Sequence, residues 1–243
     1  MWWLAGIVLS VILLFSCKFF KPNLVIITSV IHTSSEPLSY AQRSAITHEE
    51  RFTQTLNSIR SILLHVPNPY IVLVEGSKLS KNEYGSLKKE GCNEIIDCSS
   101  ELSEYINGKH KSPAEVKMLL FALDRVNPIN FATISKLSGR YYLTKRYSWH
   151  RYPLCKALYQ CENANRCNTR YYRIPAEYFD IYKKTLEDAL KDEEFYTGHN
   201  DIEAYNIFKA FPGQVRLMQG HQKLGVEGYI APWNMIVEDF EVS

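Results

Sequence analysis

The sequence lacks most of the short motifs that identify common enzyme classes. Its 243 residues contain no nucleophile elbow, no Walker loop and no G-x-G-x-x-G segment, so hydrolase, NTPase and dehydrogenase functions have no support. There is no long basic run, and the formal net charge is only +2, so nucleic acid is not an expected partner. No internal repeat, low-complexity stretch or interdomain linker divides the chain. We therefore expect residues 22–243 to form a single globular domain.

Cysteines are few, and their spacing is not that of a zinc site. Cys155, Cys161 and Cys167 follow one another at intervals of six, without a C-x₂-C pair or a histidine cluster. We expect these three cysteines to be reduced and structural. A disulfide is the alternative if the domain lies in an oxidising compartment.

An apolar segment opens the chain. Trp2 to Phe15 is apolar apart from Ser10, and the stretch continues to Phe20. About 20 such residues can cross a bilayer as a helix, so residues 1–21 are predicted to form an N-terminal apolar helix that anchors the protein by a single pass. A cleaved signal peptide is the alternative, although the segment has neither a basic start nor a clear cleavage site. Lys18 and Lys21 favour a cytosolic domain only weakly, and the absence of an N-x-S/T sequon is compatible with that side. A lumenal domain remains open.

Buried-type strands alternate with helices through the first half of the chain. Four short apolar or β-branched runs predict strands, at Asn23–Ile31, Tyr70–Val74, Asn93–Asp97 and Phe131–Leu137. Three capping boxes predict helix starts between them, at Thr47–Glu50, Ser80–Glu83 and Ser112–Glu115. This alternation predicts an α/β, Rossmann-like fold with a mainly parallel central sheet flanked by helices.

The second half of the chain is less regular. Tyr178–Leu190 is predicted to be a helix, and Asn200 is expected to cap another that runs to about Phe211. Val215–Met218 and Trp233–Val237 are predicted strands.

Ligands of open α/β sheets bind beyond the carboxyl ends of the strands. That rule selects four polar loops, which are Thr33–Ser35, Glu75–Ser77, Gly108–Ser112 and Lys136–Arg140. Arg43 and Arg51, in and after the first loop, can also reach phosphates, although arginines at such positions are often merely solvated. His32 and His199 are weaker candidates, because a lone histidine is more often a surface or packed residue.

The order of elements from about Asn23 to Arg140 resembles the nucleotide-sugar half of GT-A glycosyltransferases. Lys136–Leu143 and Leu224–Tyr229 are also similar to segments of polysaccharide-building transferases of bacteria and large viruses. The resemblance implies a GT-A fold and transfer of a hexosyl or pentosyl group from a nucleotide-diphosphate-sugar donor to a glycan or lipid-linked acceptor. The donor-binding candidates are Thr33, Ser34 and Glu75 for the nucleoside, with Arg43, Lys109, Lys111, Lys136 and Arg140 nearer the phosphates.

One feature of that family is missing. GT-A enzymes usually carry an Asp-x-Asp motif after the fourth main strand, where it holds a divalent metal against the donor diphosphate, and this chain has none. The corresponding turn offers Lys136 and Arg140, and either a metal or fixed cations can neutralise the leaving diphosphate. We therefore expect either metal-independent transfer or a Mn²⁺ or Mg²⁺ ion held by carboxylates that the sequence does not identify.

An inverting reaction also needs a carboxylate base for the acceptor hydroxyl. The resemblance points to Asp201 and Glu203 at the start of a helix, where both residues can instead complement the helix dipole. Glu227 is a third candidate, since the glycines at 225 and 228 allow a backbone to approach a ligand closely.

Two other functions fit the same sequence. A non-catalytic, membrane-anchored α/β domain that binds a glycan or a protein would leave the charged side chains scattered. A sulfotransferase or nucleotidyltransferase would need a phosphate-binding loop after the first strand, of which Thr33–Ser35 is a weak form.

Overall fold

The computed structural model describes residues 21–39, 41–161, 167–191, 211, 214–218, 223–230, 235–238 and 241–242. Its main element is a seven-stranded sheet in the order β3-β2-β1-β4-β7-β6-β8. The first four are β1 (Asn23–Ser29), β2 (Pro69–Glu75), β3 (Glu94–Asp97) and β4 (Thr133–Ser138), and they are mutually parallel. The chain therefore has the predicted mixed α/β architecture with a mostly parallel central sheet, which is compatible with a Rossmann-like fold.

Antiparallel strands extend the sheet beyond β4. The added strands are β6 (Leu158–Cys161), β7 (Tyr171–Pro175) and β8 (Val215–Met218). β7 runs antiparallel to both β4 and β6, whereas β8 is parallel to β6. A second, antiparallel sheet follows the order β11-β10-β9-β5. Its strands are β5 (Tyr141–Leu143), β9 (Val226–Ile230), β10 (Met235–Glu238) and β11 (Glu241–Val242).

Four helices connect the parallel strands, a fifth follows β7, and helices pack on both faces of the sheet. They are α1 (His48–His65), α2 (Lys81–Glu90), α3 (Ser103–Ile106), α4 (Lys111–Leu123) and α5 (Phe179–Ala189). Alternate residues of β1 enter different layers, because side chains of a strand point to opposite faces. Leu24 and Ile26 pack in the core that includes α4, and Val25 and Ile27 pack in the core that includes α1.

Two of the three predicted capping boxes are confirmed. The side chains of Thr47 and Ser80 each accept a hydrogen bond from the backbone N–H of the glutamate three residues later, and the carboxylate of that glutamate accepts the backbone N–H of the cap residue. Gly91 closes α2 in the left-handed conformation, with a φ of 116° that favours glycine.

The third capping box is wrong. α4 begins at Lys111, its N-cap is His110, and no side chain caps it. Pro113 is still tolerated because it lies in the first turn, where backbone N–H groups have no helical partner. Glu115 turns away from the helix start and points into the sheet, where it meets a buried lysine described below.

The cysteine prediction is also wrong for two of the three residues. Cys161 and Cys167 are joined by a disulfide, and their backbones form a β-bridge that holds the two sulfurs close. Cys155 is free and exposed.

Several predictions fall on residues outside the described ranges. These are the N-terminal apolar helix, the helix that begins at Asn200, and the start of the strand predicted at Trp233. Within the described ranges, no helix combines the length and apolar composition that crossing a membrane requires.

Candidate functional site

The carboxyl ends of the parallel strands form one continuous edge. In the strand register, Ser29 lies opposite Glu75, and Glu75 lies opposite Asp97. On the other side of β1, Thr28 lies opposite Ser138. The polar loops selected from the sequence after β1, β2 and β4 therefore leave the sheet at the same edge.

Glu75 forms hydrogen bonds with the loops after β1 and β2. Its side chain is completely buried, and Oε1 accepts hydrogen bonds from the backbone N–H of Ile31 at 2.9 Å and from the backbone N–H and hydroxyl of Ser77. Burial raises the pKa of Glu75, against the opposing effect of these hydrogen bonds. With no exposed surface, this side chain cannot make the predicted direct contact with a base or ribose in this conformation.

Lys136 belongs to an internal ion pair. β4 extends to Ser138, so Lys136 lies within the strand and is fully buried. Its ammonium lies 2.8 Å from Glu115 Oε1, which also accepts hydrogen bonds from the hydroxyls of Thr28 at 2.9 Å and Ser138 at 3.1 Å. Burial acts to raise the pKa of Glu115, but the charge and hydrogen bond of Lys136 lower it overall. The expected role of Lys136 as a free cation for a diphosphate is therefore wrong, since its charge is already neutralised.

Several basic side chains lie next to that pair. Lys111 is half-buried at the start of α4, and its pKa falls to about 6. Burial is the main cause, followed by the positive charges of Arg140, Arg51 and Arg43, while Glu115 acts in the opposite direction. We call Arg51, Lys111 and Arg140 the cation cluster.

The two arginines of the cation cluster are held by backbone carbonyls. Arg51 donates to Val30 O at 2.9 Å and to the Ser44 hydroxyl at 3.1 Å. Its pKa is lowered to about 9, mainly by burial and then by the charge of Arg140. Arg140 donates from Nη1 to Tyr229 O at 3.0 Å, which ties the turn after β4 to β9. Because Arg140 lowers the pKa of both Arg51 and Lys111, an anion bound beside these side chains would favour the protonated form of Lys111.

Arg43 has a different role from the one expected. Its buried guanidinium donates to four backbone carbonyls, those of Glu36, Ile106, Asn107 and Gly108. These bonds fasten the loop after β1 to the segment before α4. Arg43 therefore shapes the site and adds positive potential, but its donors are directed at the backbone.

The remaining donor-binding candidates lie in the loops around the edge. Thr33 and Ser34 are half-buried in the loop after β1, and the Ser34 hydroxyl accepts the backbone N–H of Glu36 at 3.1 Å. Lys109 is exposed, and its carbonyl accepts the backbone N–H of Ser39 at 3.2 Å. Contacts of these side chains with a nucleotide stay predictions.

Of the three candidate bases, only Glu227 lies in the described part of the chain. It is half-buried on β9 opposite Tyr142, whose hydroxyl donates to it. The flanking glycines serve chain packing rather than ligand approach. A β-carbon at Gly228 would overlap the backbone of β5, and Gly225 has a φ of 87° against the backbone of Tyr147. Asp201 and Glu203 lie outside the described residues.

Two contributors to the site are not among the donor-binding residues predicted from the sequence. Arg51 is not among them because an arginine at such a position is often merely solvated. Glu115 is predicted from the sequence to complete a capping box, and nothing in its local sequence indicates a buried lysine 21 positions later. Among the residues described here, no three His, Cys, Asp or Glu side chains converge closely enough to hold a metal ion by themselves.

No protein-family model matches this chain, and no curated protein matches its sequence. In structure the chain is similar to the glycosyltransferase GlyE of Streptococcus pneumoniae TIGR4, with a TM-score of 0.47 and 12% sequence identity. The similarity covers 82% of this chain and 45% of that one, so this chain spans less than half the length of GlyE. A likeness of that degree does not assign an activity, which has to be argued from the site itself.

Proposed function

We propose that this protein is a glycosyltransferase that moves a hexosyl or pentosyl group from a nucleotide-diphosphate-sugar to a glycan or lipid-linked acceptor. The observation that carries the proposal is the convergence of Arg51, Lys111 and Arg140 beside the carboxyl edge of the parallel strands. Scattered charges would instead have favoured a non-catalytic binding domain.

The cation cluster suits the chemistry of sugar transfer. As the bond between sugar and diphosphate breaks, negative charge grows on the departing nucleoside diphosphate, and fixed cations stabilise that charge. Lys111 is best placed for this role, because a bound diphosphate would offset the repulsion from its cationic neighbours and favour its protonated form. Of the phosphate partners predicted from the sequence, the cation cluster keeps Lys111 and Arg140, omits Lys136 and adds Arg51.

The other roles remain part of the proposal. Thr33 and Ser34 would contact the nucleoside, and the hydrogen bond from Ile31 N–H to Glu75 would hold their loop in place. Asp201 or Glu203 would serve as the base for the acceptor hydroxyl, and Glu227 is the alternative. A Mn²⁺ or Mg²⁺ ion can supplement the cations. Residues 1–21 would anchor the enzyme by a single pass near membrane-bound acceptors.

Calorimetry with UDP-, GDP- and dTDP-sugars tests the proposal, each with manganese and with a chelator. We expect at least one donor to bind, and binding that survives the chelator would support neutralisation by the cation cluster. Strict metal dependence would reject that account of the charge. Failure of every donor to bind would reject glycosyl transfer itself.

Matched lysine variants locate the diphosphate. Lys111→Met should weaken binding of the nucleoside diphosphate by tenfold or more, because a charged hydrogen bond contributes about 1.5–3 kcal/mol. Binding of the free nucleoside should be unchanged. Lys117→Met is the control, since Lys117 lies on the same helix but places its ammonium 4.9 Å from the centre of the Tyr105 ring. Equal losses in the two variants would contradict the assignment.

A further inference from the structure

Two histidines meet at the carboxyl edge of the sheet, outside the cation cluster. His32 follows the last buried residue after β1, and His48 is the first residue of α1. Their Nδ1 atoms lie 3.4 Å apart, and the rings meet edge to face with their planes at 77°. On its other side, His32 Nε2 lies 2.8 Å from Glu83 Oε1.

The carboxylate fixes how His32 is protonated. Glu83 Oε2 accepts the backbone N–H of Ser80 at 2.7 Å, which leaves Oε1 directed at His32. A carboxylate can only accept hydrogen bonds, so Nε2 of His32 carries the proton of this bond. In the neutral ring, Nδ1 of His32 is left with a lone pair that faces His48.

This arrangement matches half of a tetrahedral zinc site. Zinc–nitrogen bonds are about 2.0–2.1 Å long, so two tetrahedral nitrogen ligands lie about 3.3–3.4 Å apart. Histidine ligands of metals commonly donate their second ring N–H to a carboxylate, as His32 does to Glu83. We propose that His32 and His48 bind a divalent transition-metal ion, zinc in the first instance, through their Nδ1 atoms, with Glu83 orienting His32. Water or an added ligand would complete the coordination.

The three side chains come from elements that are already held in place. The backbone N–H of His32 donates to the Ser77 hydroxyl at 2.9 Å, and Glu83 is part of the capping box of α2. Little reorganisation is therefore needed to bind the ion. The positive end of the α1 dipole works against a cation at His48, but Glu49 and Glu50 in the same turn offset that field.

Proton balance requires only a change of tautomer. Without metal, His48 donates its Nδ1 proton towards the Nδ1 lone pair of His32. On metal binding that proton leaves Nδ1, and the exposed His48 ring is protonated at Nε2 from solvent. Both rings stay neutral, both Nδ1 lone pairs form bonds to the ion, and no net proton is released. The site does not depend on glycosyl transfer and can be tested without any donor.

Titration of the full chain with Zn²⁺ by calorimetry, and with Co²⁺ followed by its visible absorption, tests the site. We expect one ion per chain and the strong absorption of tetrahedral cobalt. His48→Ala should reduce Zn²⁺ affinity at least tenfold, and because His48 is exposed this variant should keep the fold. Glu83→Gln keeps a residue that suits a capping box and should reduce affinity about 10- to 100-fold through the outer shell.

His150→Ala is the matched control, because His150 is exposed in a short turn at Trp149–Arg151. It should bind Zn²⁺ as the unmodified protein does. The proposal is overturned if the unmodified chain binds no zinc, if His48→Ala binds it as tightly as the unmodified chain, or if cobalt gives the weak spectrum of an octahedral site. In those cases the two rings only share a proton. Donor binding is measured separately, so a negative result here leaves glycosyl transfer untouched.

Discussion

Replacing Lys111 by methionine distinguishes the effect of this side chain on folding stability from its contribution to anion binding. Its pKa falls from 10.5 to about 6, so at pH 7 the unfolded chain carries the proton and the folded chain has largely lost it. Taken at face value, that difference destabilises the folded state by up to about 5 kcal/mol. Methionine has a similar length and carries no charge, so the penalty disappears.

The expected gain is smaller than that limit. Lys111 is only half-buried, so solvent screens part of the repulsion from the neighbouring arginines. The variant also loses the 3.1 Å hydrogen bond from Lys111 to Arg43 O, which lowers its stability by about 1 kcal/mol. We expect Lys111→Met to stabilise the protein by about 1–2 kcal/mol and to raise Tm by about 2–8 °C. Thermal unfolding at low ionic strength measures this change.

The pH dependence follows from the direction of the shift. Between about pH 6 and 10.5 the unfolded chain binds a proton that the folded chain does not, so the unmodified protein gains stability as pH rises. Methionine does not titrate, so the stability of the variant lacks this dependence on pH. Its advantage should be greatest at and below about pH 6 and should vanish as pH approaches 10.5.

Pyrophosphate should reverse the ranking of the two proteins. An anion in the cation cluster stabilises protonated Lys111, so saturating pyrophosphate should raise Tm of the unmodified protein much more than that of Lys111→Met. A variant that is less stable than the unmodified protein in the absence of anions would refute the electrostatic account. Equal stabilisation of both proteins by pyrophosphate would refute the role of Lys111 in anion binding.

Three further outcomes test other parts of the structure. Gly228→Ala should cost at least about 2 kcal/mol in urea unfolding, because its β-carbon would overlap the backbone of β5, and an unchanged midpoint would contradict that packing. Lys136→Met should cost about 3–5 kcal/mol by leaving Glu115 without its ion partner, and the further change Glu115→Gln should recover part of the loss if the ion pair is the cause. In the native protein, of the cysteines in the described ranges, an alkylating reagent should modify Cys155 alone, and mass spectrometry should find one disulfide, between Cys161 and Cys167. Rapid native labelling of either paired cysteine would refute the disulfide.

Local features of the sequence predicted the elements well. The apolar run of β1, the capping boxes at Thr47 and Ser80, and the glycine that ends α2 depend on residues within a few positions of one another. The order of strands and helices then favoured a parallel sheet, and the selected loops after β1, β2 and β4 do leave that sheet at one edge. Boundaries were less exact: β4 ends at Ser138, so Lys136, which was assigned to the loop after the strand, lies inside it.

The sequence by itself thus determined the α/β architecture and the edge at which polar loops gather, because hydrophobic periodicity and helix caps act over short distances along the chain. Only the tertiary structure decided which charged side chains are neutralised by an ion partner and which are not. Glu115 meets Thr28 across 87 positions, and Arg140 meets Tyr229 across 89. Such pairings depend on strand register and on how the helices pack against the sheet, so no local pattern distinguishes Lys136, which is paired with Glu115, from Lys111, whose nearest charges are mostly arginines.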